Sequence, residues 1–407
     1  MKKSFLLIAP LLLSSLASFA GGFQLKVQGV RQLAMGGTGA AWAWDASTIY
    51  FNPGGLSTLS GMQVYGSINT IMPRTEMVNN GTVIDAANKT YPTFNIYAGG
   101  PIRKGSKFAI GLGIYTPFGS GISWNDNWVG KYVIQNVQLS TVFIQPTASY
   151  KLNDVFSVGA GFIYATGHVQ FQQAIPAQDV NGTNGEAYLK GNANGVGMNA
   201  GLHMKLGDKI QAGFTFHSKV KMDVRNGSST FTVPYSLQSN FPSGIFTTSV
   251  SLPSSECLGL AFKPTKHLTI SLEADFNQWS QYDSLIFHYS PNTAALQDTR
   301  LPKKYKNTTS YHIGANYHIN HYASVMLGGA YDPTPIQDGF LSPDLPDANR
   351  WIVTGGVTVR PVSSLTVMLA VEYVSSLKRT GTYDYANFGG QYQTKVLTPA
   401  LGVYYNF

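Results

Sequence analysis

Charged residues, cysteines and long apolar runs are all scarce in this chain of 407 residues, and each scarcity excludes a class of protein. Only 12% of the residues are charged, about half the usual share in a soluble globular protein. The single Cys257 excludes an intramolecular disulfide framework. Beyond the N-terminus, no stretch approaches the roughly 20 consecutive apolar residues of a transmembrane helix. The net charge of +8 is too dispersed to indicate nucleic-acid binding.

The first 20 residues have the pattern of a secretory signal peptide. Lys2 and Lys3 precede a short apolar run over 5–13, and small residues follow up to Ala20. We therefore predict a signal peptide over residues 1–20, cleavage after Ala20, and export from the cytoplasm. A buried N-terminal helix is the alternative interpretation.

Polar and apolar residues alternate with a period of two along much of the chain. From Leu268 to Asn277, for example, every second residue is apolar and the residues between are Thr, Ser, Glu, Asp and Asn. Such alternation predicts strands with one apolar and one polar face. We expect about 14 strands, near 61–72, 91–98, 108–116, 140–150, 156–172, 193–206, 210–224, 248–262, 268–280, 306–318, 323–331, 350–360, 365–376 and 394–407. A soluble β-sandwich has the same local pattern.

The connections between these strands favour a membrane barrel over a sandwich. Short turns such as 207–209 alternate with long polar connections over 173–192, 225–247, 281–305 and 332–349. Tight turns at one end and long loops at the other are typical of bacterial outer-membrane barrels. The chain also holds 23 Tyr and 22 Phe, enough for aromatic girdles. We predict an all-β fold, a 14-stranded antiparallel transmembrane β-barrel over 61–407, in the bacterial outer membrane.

The last strand supports this prediction. Its apolar residues share one face and the printed sequence finishes on Phe407. An amphipathic final strand with a terminal aromatic resembles the element that barrel-assembly machinery recognises, so we expect that machinery as a partner during biogenesis. Outer-membrane lipid and lipopolysaccharide are the other expected surroundings.

Residues 21–60 do not alternate. Small residues and turn formers predict short helical pieces and tight turns. Apolar and aromatic residues such as Phe23, Trp42 and Phe51 argue against disorder. We interpret 21–60 as an N-terminal hatch inside the barrel lumen; a disordered periplasmic tail is the alternative.

Several short motifs, in order, resemble one known family. They are Gly22-Phe23-Gln24-Leu25, Met35-Gly36 with Ala40, Asp45-Ala46, Asn52-Pro53, Trp279-Ser280-Gln281, Leu301-Pro302, Tyr331-Asp332-x-x-Pro335 and Pro346-Asp347-x-x-Arg350. Over nearly the whole mature chain the sequence resembles the FadL-type outer-membrane transporters of long-chain fatty acids and other hydrophobic compounds. Gly54 is a departure, because the family usually has Ala after Asn-Pro.

The resemblance implies a mechanism. Fourteen strands close around a hatch that includes Phe23, Asn52 and Pro53. The ligand is caught between two extracellular loops, passes to a pocket beside the hatch, and leaves sideways at a kinked third strand. The resemblance implies no energy source, cofactor or metal.

The expected third strand meets Pro117, Gly119 and Gly121. Proline cannot donate to a β-ladder, and glycine permits a bulge or a sharp bend. An unpaired backbone group facing lipid costs several kcal/mol, so a break is tolerable only where protein shields it. These residues are therefore the candidate lateral opening. The alternative is that Pro117 simply starts an extracellular loop.

The connections 173–192 and 225–247 are expected to form the capture groove, and the candidate ligand-binding residues lie in 225–247 and 281–305. The connection 225–247 is unusually apolar for an exposed loop and carries Phe231, Tyr235, Phe241 and Phe246. These aromatic residues line a capture groove in one interpretation and pack the loops together as a lid in the other.

A carboxylate head group in an apolar pocket needs a cation or several hydrogen-bond donors. Arg300 and Lys303 are the candidates, and a solvated loop or a lipopolysaccharide contact is the alternative role for this basic segment. Family members can also use basic residues near the fifth strand, where this chain has Gln170, Gln172 and Gln173. That departure keeps neutral hydrophobic compounds open as substrates.

The sequence contains none of the common catalytic motifs, such as G-x-S-x-G or H-E-x-x-H. We therefore expect no enzyme. The leading hypothesis is uptake of long-chain fatty acids or similar hydrophobic compounds by passive, ligand-gated lateral diffusion. A general diffusion porin and an adhesin or structural barrel remain the competing hypotheses.

Overall fold

The computed structural model describes residues 21–407, so the predicted signal peptide lies outside the described residues. Fourteen strands form one antiparallel sheet, and the last strand pairs with the first to close the barrel. The fold class predicted from alternation is confirmed. Among the helices in residues 21–407, none is long and apolar enough to cross a membrane.

Five of the fourteen strands are broken into two segments. In chain order the strands are β1 Gln63–Asn79, β2 Tyr91–Pro101, β3 Phe108–Tyr115 with Gly119–Ser123, β4 Asn136–Lys151, β5 Phe156–Gln178, β6 Asn184–Leu206, β7 Ile210–His217 with Val220–Thr232, β8 Gly244–Leu252 with Ser255–Phe262, β9 Leu268–Asn277 with Ser284–Ser290, β10 Thr299–Pro302 with Thr308–His318, β11 Ala323–Asp332, β12 Arg350–Val362, β13 Leu365–Ser376 and β14 Phe388–Asn406.

Shorter elements complete the wall and its loops. They are strand Thr82–Asp85, which folds back on β1, strand Arg379–Tyr383, which pairs with β14, and the 3-10 helices Tyr235–Leu237, Trp279–Gln281 and Asp384–Ala386.

The wall is apolar outside and polar inside. On β6, Val196 and Met198 are 60% and 54% exposed, whereas the alternate residues Asn199 and His203 are buried. A soluble protein has the opposite arrangement, because water rather than lipid meets its exposed face. The apolar face therefore suits a bilayer, and the long connections mark the extracellular end.

The structure corrects the predicted loop boundaries. The connection predicted over 173–192 is a paired hairpin, because β5 runs to Gln178 and β6 begins at Asn184. Backbone pairing continues there although the sequence no longer alternates. The strand predicted over 248–262 is interrupted near Pro253, which has no N–H to donate to the ladder.

Residues 21–60 fill the lumen, as predicted for the hatch. They form α1 Val30–Ala34, α2 Thr48–Phe51 and a 3-10 helix at Pro53–Thr58, and nearly all of their residues are buried. Helix α1 packs against β11–β14, and the 3-10 helix packs against β2–β6. The segment therefore bridges opposite walls. The boundaries at residues 20 and 60 stay predictions.

Glycines in the wall let the hatch backbone approach closely. A Cβ atom at Gly159 would lie 2.3 Å from the carbonyl oxygen of Pro53, and one at Gly213 would lie 1.9 Å from that of Ala40. Asn52 completes this attachment, because its Nδ2 donates to the oxygens of Ala40 at 2.7 Å and Leu202 at 3.0 Å.

A candidate ligand path through the barrel

The third strand is broken where the sequence predicted a kink. Its inner segment ends at Tyr115 and its outer segment begins at Gly119, and both segments pair with β4. On the other side, β2 pairs with β3 only over Ile96–Pro101. Within residues 21–407, the first five residues of β2 thus have no ladder partner on β3, which leaves a gap in the wall.

The hatch and one wall residue satisfy the backbone groups at this break. The N–H of Leu25 donates to the oxygen of Pro117 at 2.8 Å, and the N–H of Gly119 donates to the oxygen of Phe23 at 3.0 Å. Thr141 donates its hydroxyl to the oxygen of Phe118 at 2.6 Å. Because unpaired backbone groups are costly at membrane depth, these contacts explain how the break is tolerated.

Three cavities lie between the loops and this gap. The outer cavity, between the extracellular loops, has a volume of about 550 Å³. The inner cavity has about 80 Å³ and lies against Phe23. The side cavity has about 470 Å³ and lies at the gap between β2 and β3.

The cavities share walls. The outer and inner cavities share lining residues that include Phe171, Leu189 and Phe287. The inner and side cavities share Phe23 and Leu139. The three cavities therefore form a series that runs from the extracellular loops to the gap between β2 and β3. The inner cavity lies in the middle and has the smallest volume of the three.

Phe23 lies between the inner cavity and the side cavity. Its ring packs edge-on against Trp279 at 4.9 Å and Tyr282 at 5.4 Å between centroids, and against Phe118 at 6.1 Å. The backbone beside it is tied down as well, since the N–H of Gly22 donates to Asp347 at 3.0 Å. Gly22 and Phe23, which we call the hatch tip, thus separate the inner cavity from the gap.

Lys303 is the cation of the inner cavity. Its side chain is 3% exposed, and its Nζ lies 2.7 Å from Oδ2 of Asp344. Burial alone would raise the pKa of Asp344, but the charge and hydrogen bond of Lys303, together with hydrogen bonds from Ser342 and the backbone, lower that pKa. The two groups therefore form a buried ion pair that lines both the inner and outer cavities.

The structure brings some predicted ligand residues together and separates others. Phe231 and Phe241 line the outer cavity, and Phe246 lines the inner one. Tyr235, by contrast, is 89% exposed and belongs to neither lining. Arg300 also lies outside both linings, with a half-exposed ion pair to Asp283.

Two of the three glutamines named on the fifth strand are neutral cavity residues, and Gln172 lies outside the cavity linings. Gln170 lines the inner cavity and Gln173 lines the outer one. The inner cavity thus offers amides and aromatic rings but, among residues 21–407, Lys303 is its one basic residue.

One group of potential metal ligands occurs in the described chain, at Cys257, Glu273 and Asp275. Its carboxylates already bind the hatch. Asp275 forms an ion pair with Lys26, and Glu273 accepts the N–H of Ala40 at 2.6 Å. We therefore assign these residues to holding the hatch rather than a metal.

Comparison with known proteins identifies the family. The sequence profile of the family described as outer membrane protein transport protein (OMPP1/FadL/TodX) matches residues 11–407. The chain belongs to this family. Members of the OMPP1/FadL/TodX family are outer-membrane transport proteins rather than enzymes, so the predicted location and the absence of an enzymatic role are both confirmed.

Two relatives align with almost the whole chain. The long-chain fatty acid transport protein of Escherichia coli K12 is 25% identical over 437 residues, which span 95% of each protein. Outer membrane protein P1 of Haemophilus influenzae is 22% identical, with 92% of this chain and 90% of that protein covered.

Solved structures of the family share the fold. A Pseudomonas aeruginosa FadL homologue has a TM-score of 0.83 at 18% identity and covers 95% of this chain and 100% of its own. The Pseudomonas putida toluene transporter TodX has a TM-score of 0.73 at 16% identity, with 95% and 99% covered.

Proposed function

We propose that the protein takes up long-chain fatty acids or similar hydrophobic compounds by passive, ligand-gated diffusion that ends sideways at the gap between β2 and β3. The observation that carries this proposal is the series of apolar cavities from the extracellular loops to the gap, interrupted at Phe23. A ligand that displaces the hatch tip would join the inner and side cavities and leave into the membrane.

The outer cavity suits the capture step. Phe231 and Phe241 both line it, and their rings pack against each other at 6.3 Å between centroids. Burying an acyl chain is worth roughly 0.8 kcal/mol per methylene, so an apolar surface of this kind binds a long chain without many polar contacts. Its volume lies within the range of ordinary small-molecule sites, which is roughly 300–1,000 Å³.

The ion pair in the inner cavity favours a second class of substrate. A fatty-acid carboxylate needs a cation there, but the Lys303 ammonium already binds Asp344 at 2.7 Å. A neutral compound needs no such partner. The named relatives include carriers of both kinds, the Escherichia coli long-chain fatty acid transport protein and the Pseudomonas putida toluene transporter.

The first experiment compares oleate and toluene uptake in cells that lack their own transporters for these compounds, together with ion conductance of the purified barrel. Saturable uptake with negligible conductance supports the proposal, and the preferred compound identifies the substrate class. Large steady conductance without uptake favours a porin instead. Absence of both signals contradicts the proposal and favours an adhesin or a structural barrel.

Substitution of Lys303 tests the carboxylate site. If the ligand is a fatty acid, Lys303→Met should weaken oleate binding about tenfold or more, because a charge-assisted hydrogen bond is worth roughly 1.5–3 kcal/mol. Arg300→Gln is the matched control and should bind oleate normally, since Arg300 lies outside the cavity. Unchanged oleate binding by Lys303→Met would exclude this head-group site. Displacement of a bound fluorescent acyl probe by oleate measures the affinity of both variants.

Substitution at the gap tests the exit. A Cβ atom at Gly119 would lie 3.3 Å from Leu25 in the side cavity, so a phenylalanine there should obstruct that cavity. We expect Gly119→Phe to reduce uptake at least about tenfold while ligand binding persists. Gly66→Phe is the control, because nothing lies within 4 Å of a Cβ at Gly66. Normal uptake by Gly119→Phe would exclude this exit.

A further inference from the structure

A stripe of basic side chains lies on the outward face of β7. Val220, Met222 and Val224 of this strand are at most 2% exposed, so they face the lumen. The alternate residues Lys221, Asp223 and Arg225 face outward, and the exposed Lys219 lies in the break of β7 directly before them. Three cations and one carboxylate leave this short stretch with two positive charges in excess.

These cations are only partly neutralised by the protein. Lys221 lies 3.3 Å from Asp223, whose carboxylate also accepts the hydroxyl of Ser249 at 2.7 Å. The side chains of Lys219 and Arg225 form no hydrogen bond or close ion pair within residues 21–407, although Arg225 attracts Asp223 at longer range. Two exposed cations therefore remain available to an external anion.

The local backbone helps to present Arg225. The pairing of β7 with β8 shifts register between Val224 and Gly227, and Arg225 and Asn226 are both exposed at this irregularity. An extra residue in a strand leaves the ladder and redirects side chains. Arginine binds phosphate through two parallel N–H groups, which lysine cannot do.

The depth of the stripe indicates which anion it meets. Phe214 and Phe216 are the outward apolar residues before it on β7, and Leu258, the neighbour of Phe214 on β8, is 61% exposed. The stripe begins where this apolar band ends, on the side of the long connection 233–243 and therefore in the outer leaflet. In a bacterial outer membrane that leaflet is lipopolysaccharide, whose lipid anchor carries phosphates at this level.

We infer that Lys219, Lys221 and Arg225 form a binding site for the phosphate groups of lipopolysaccharide on the outside of the barrel. Clusters of basic residues at a membrane surface bind anionic head groups in this way. Another outward basic pair, Arg74 opposite Lys395, shares its cavity with Glu76 and Asp85, which cancel its charge. That pair provides an internal comparison.

Binding of lipid A to the purified protein in neutral detergent tests the inference. The wild type should bind bis-phosphorylated lipid A at least about tenfold more tightly than dephosphorylated lipid A. K219Q/R225Q, which removes the two available cations, should lose that preference, whereas R74Q/K395Q, which removes the same charge, should keep it. Native mass spectrometry measures the bound lipid, and the heat-modifiable migration of the barrel on gels verifies folding.

Three results would overturn the site. They are equal binding of the two lipids by the wild type, equal loss in both double variants, and full competition by inorganic phosphate at the lipid's concentration. The last result would identify free phosphate rather than a lipid as the ligand. Substrate uptake should be the same in K219Q/R225Q and wild type, so the outcome is separable from that of the transport proposal.

Discussion

The two ends of the hatch are attached to the barrel in different ways. At its base, the backbone of Pro53 lies directly against Gly159 of the wall, and the side chains of Asn52 and Pro53 lie against Gly201. Wall side chains add to this attachment, since Thr215 donates to the oxygen of Phe51 at 2.8 Å. Movement of the base would therefore require the wall to rearrange.

The tip of the hatch is held by contacts that a ligand can replace. Phe23 packs against aromatic rings and lines two cavities, so an apolar molecule offers the same kind of contact. Its backbone is fixed by single hydrogen bonds to the broken strand and, at Gly22, to Asp347. The comparison supports the proposal that the base keeps the pore closed and that displacement of the tip opens the path.

The largest effect is expected from Gly159→Val, which should displace the base. Its Cβ atom would lie 2.3 Å from the oxygen and 2.4 Å from the carbon of the Pro53 carbonyl, and backbone atoms cannot yield as a flexible side chain does. We expect steady ion conductance in planar bilayers, which the wild type should lack. Gly66→Val, with open space around it, should behave as wild type. A closed Gly159→Val channel would contradict the proposed role of the base.

A smaller effect is expected from Asp347→Ala, which should loosen the tip alone. It removes a hydrogen bond from Gly22 to a carboxylate, worth roughly 1.5–3 kcal/mol, so local opening should become about tenfold to a hundredfold more frequent. Hydrogen exchange measured by mass spectrometry should accelerate over residues 22–25 and stay unchanged over 52–58. Asp338→Ala, at an exposed aspartate of the same loop, is the control. Equal acceleration over both regions would show that the hatch moves as one body.

The smallest effect is expected from Thr141→Val, which tests the kink rather than the hatch. The substitution leaves the oxygen of Phe118 without its hydroxyl donor and should cost about 1–3 kcal/mol, lowering the thermal midpoint by a few degrees. Thr269→Val is matched, because the Thr269 hydroxyl is buried without a partner within residues 21–407. That control should be neutral or slightly stabilising. Equal midpoints for the two variants would mean that the hydrogen bond to the kink contributes nothing.

The barrel was predictable from sequence because lipid imposes a strict pattern. Alternation such as Leu268 to Asn277 marks each strand where it crosses the apolar band, and the number of strands follows from counting such segments. Where the strands extend beyond the apolar band, no lipid contacts the wall and the sequence need not alternate. The hairpin around Gln178 and Asn184 was therefore interpreted as a loop, although its backbone remains paired.

The candidate site was only partly predictable. The break at Pro117 had a local signal, since proline and glycine interrupt a ladder. Arg300 and Lys303 are both basic residues of one connection, so the sequence did not distinguish them. In the structure Lys303 is buried in an ion pair with Asp344, which is distant in sequence, whereas Arg300 is exposed. The role of Asp347 at Gly22 was missed for the same reason. The inward glycines at 159 and 213 were a usable sign of close backbone approach that the sequence analysis did not exploit.

Closure of the barrel through β1 and β14 has a consequence for biogenesis. The ring joins strands that are more than 300 residues apart in sequence, from Gln63 with Asn406 to Val78 with Gln391. Residues 21–60 leave the ribosome before every strand that surrounds them, and contacts this long in sequence form slowly. Until the final strand arrives, the segment and its apolar side chains must be kept from aggregating in the periplasm. Holding chaperones should therefore matter most to this protein during the interval before the ring closes.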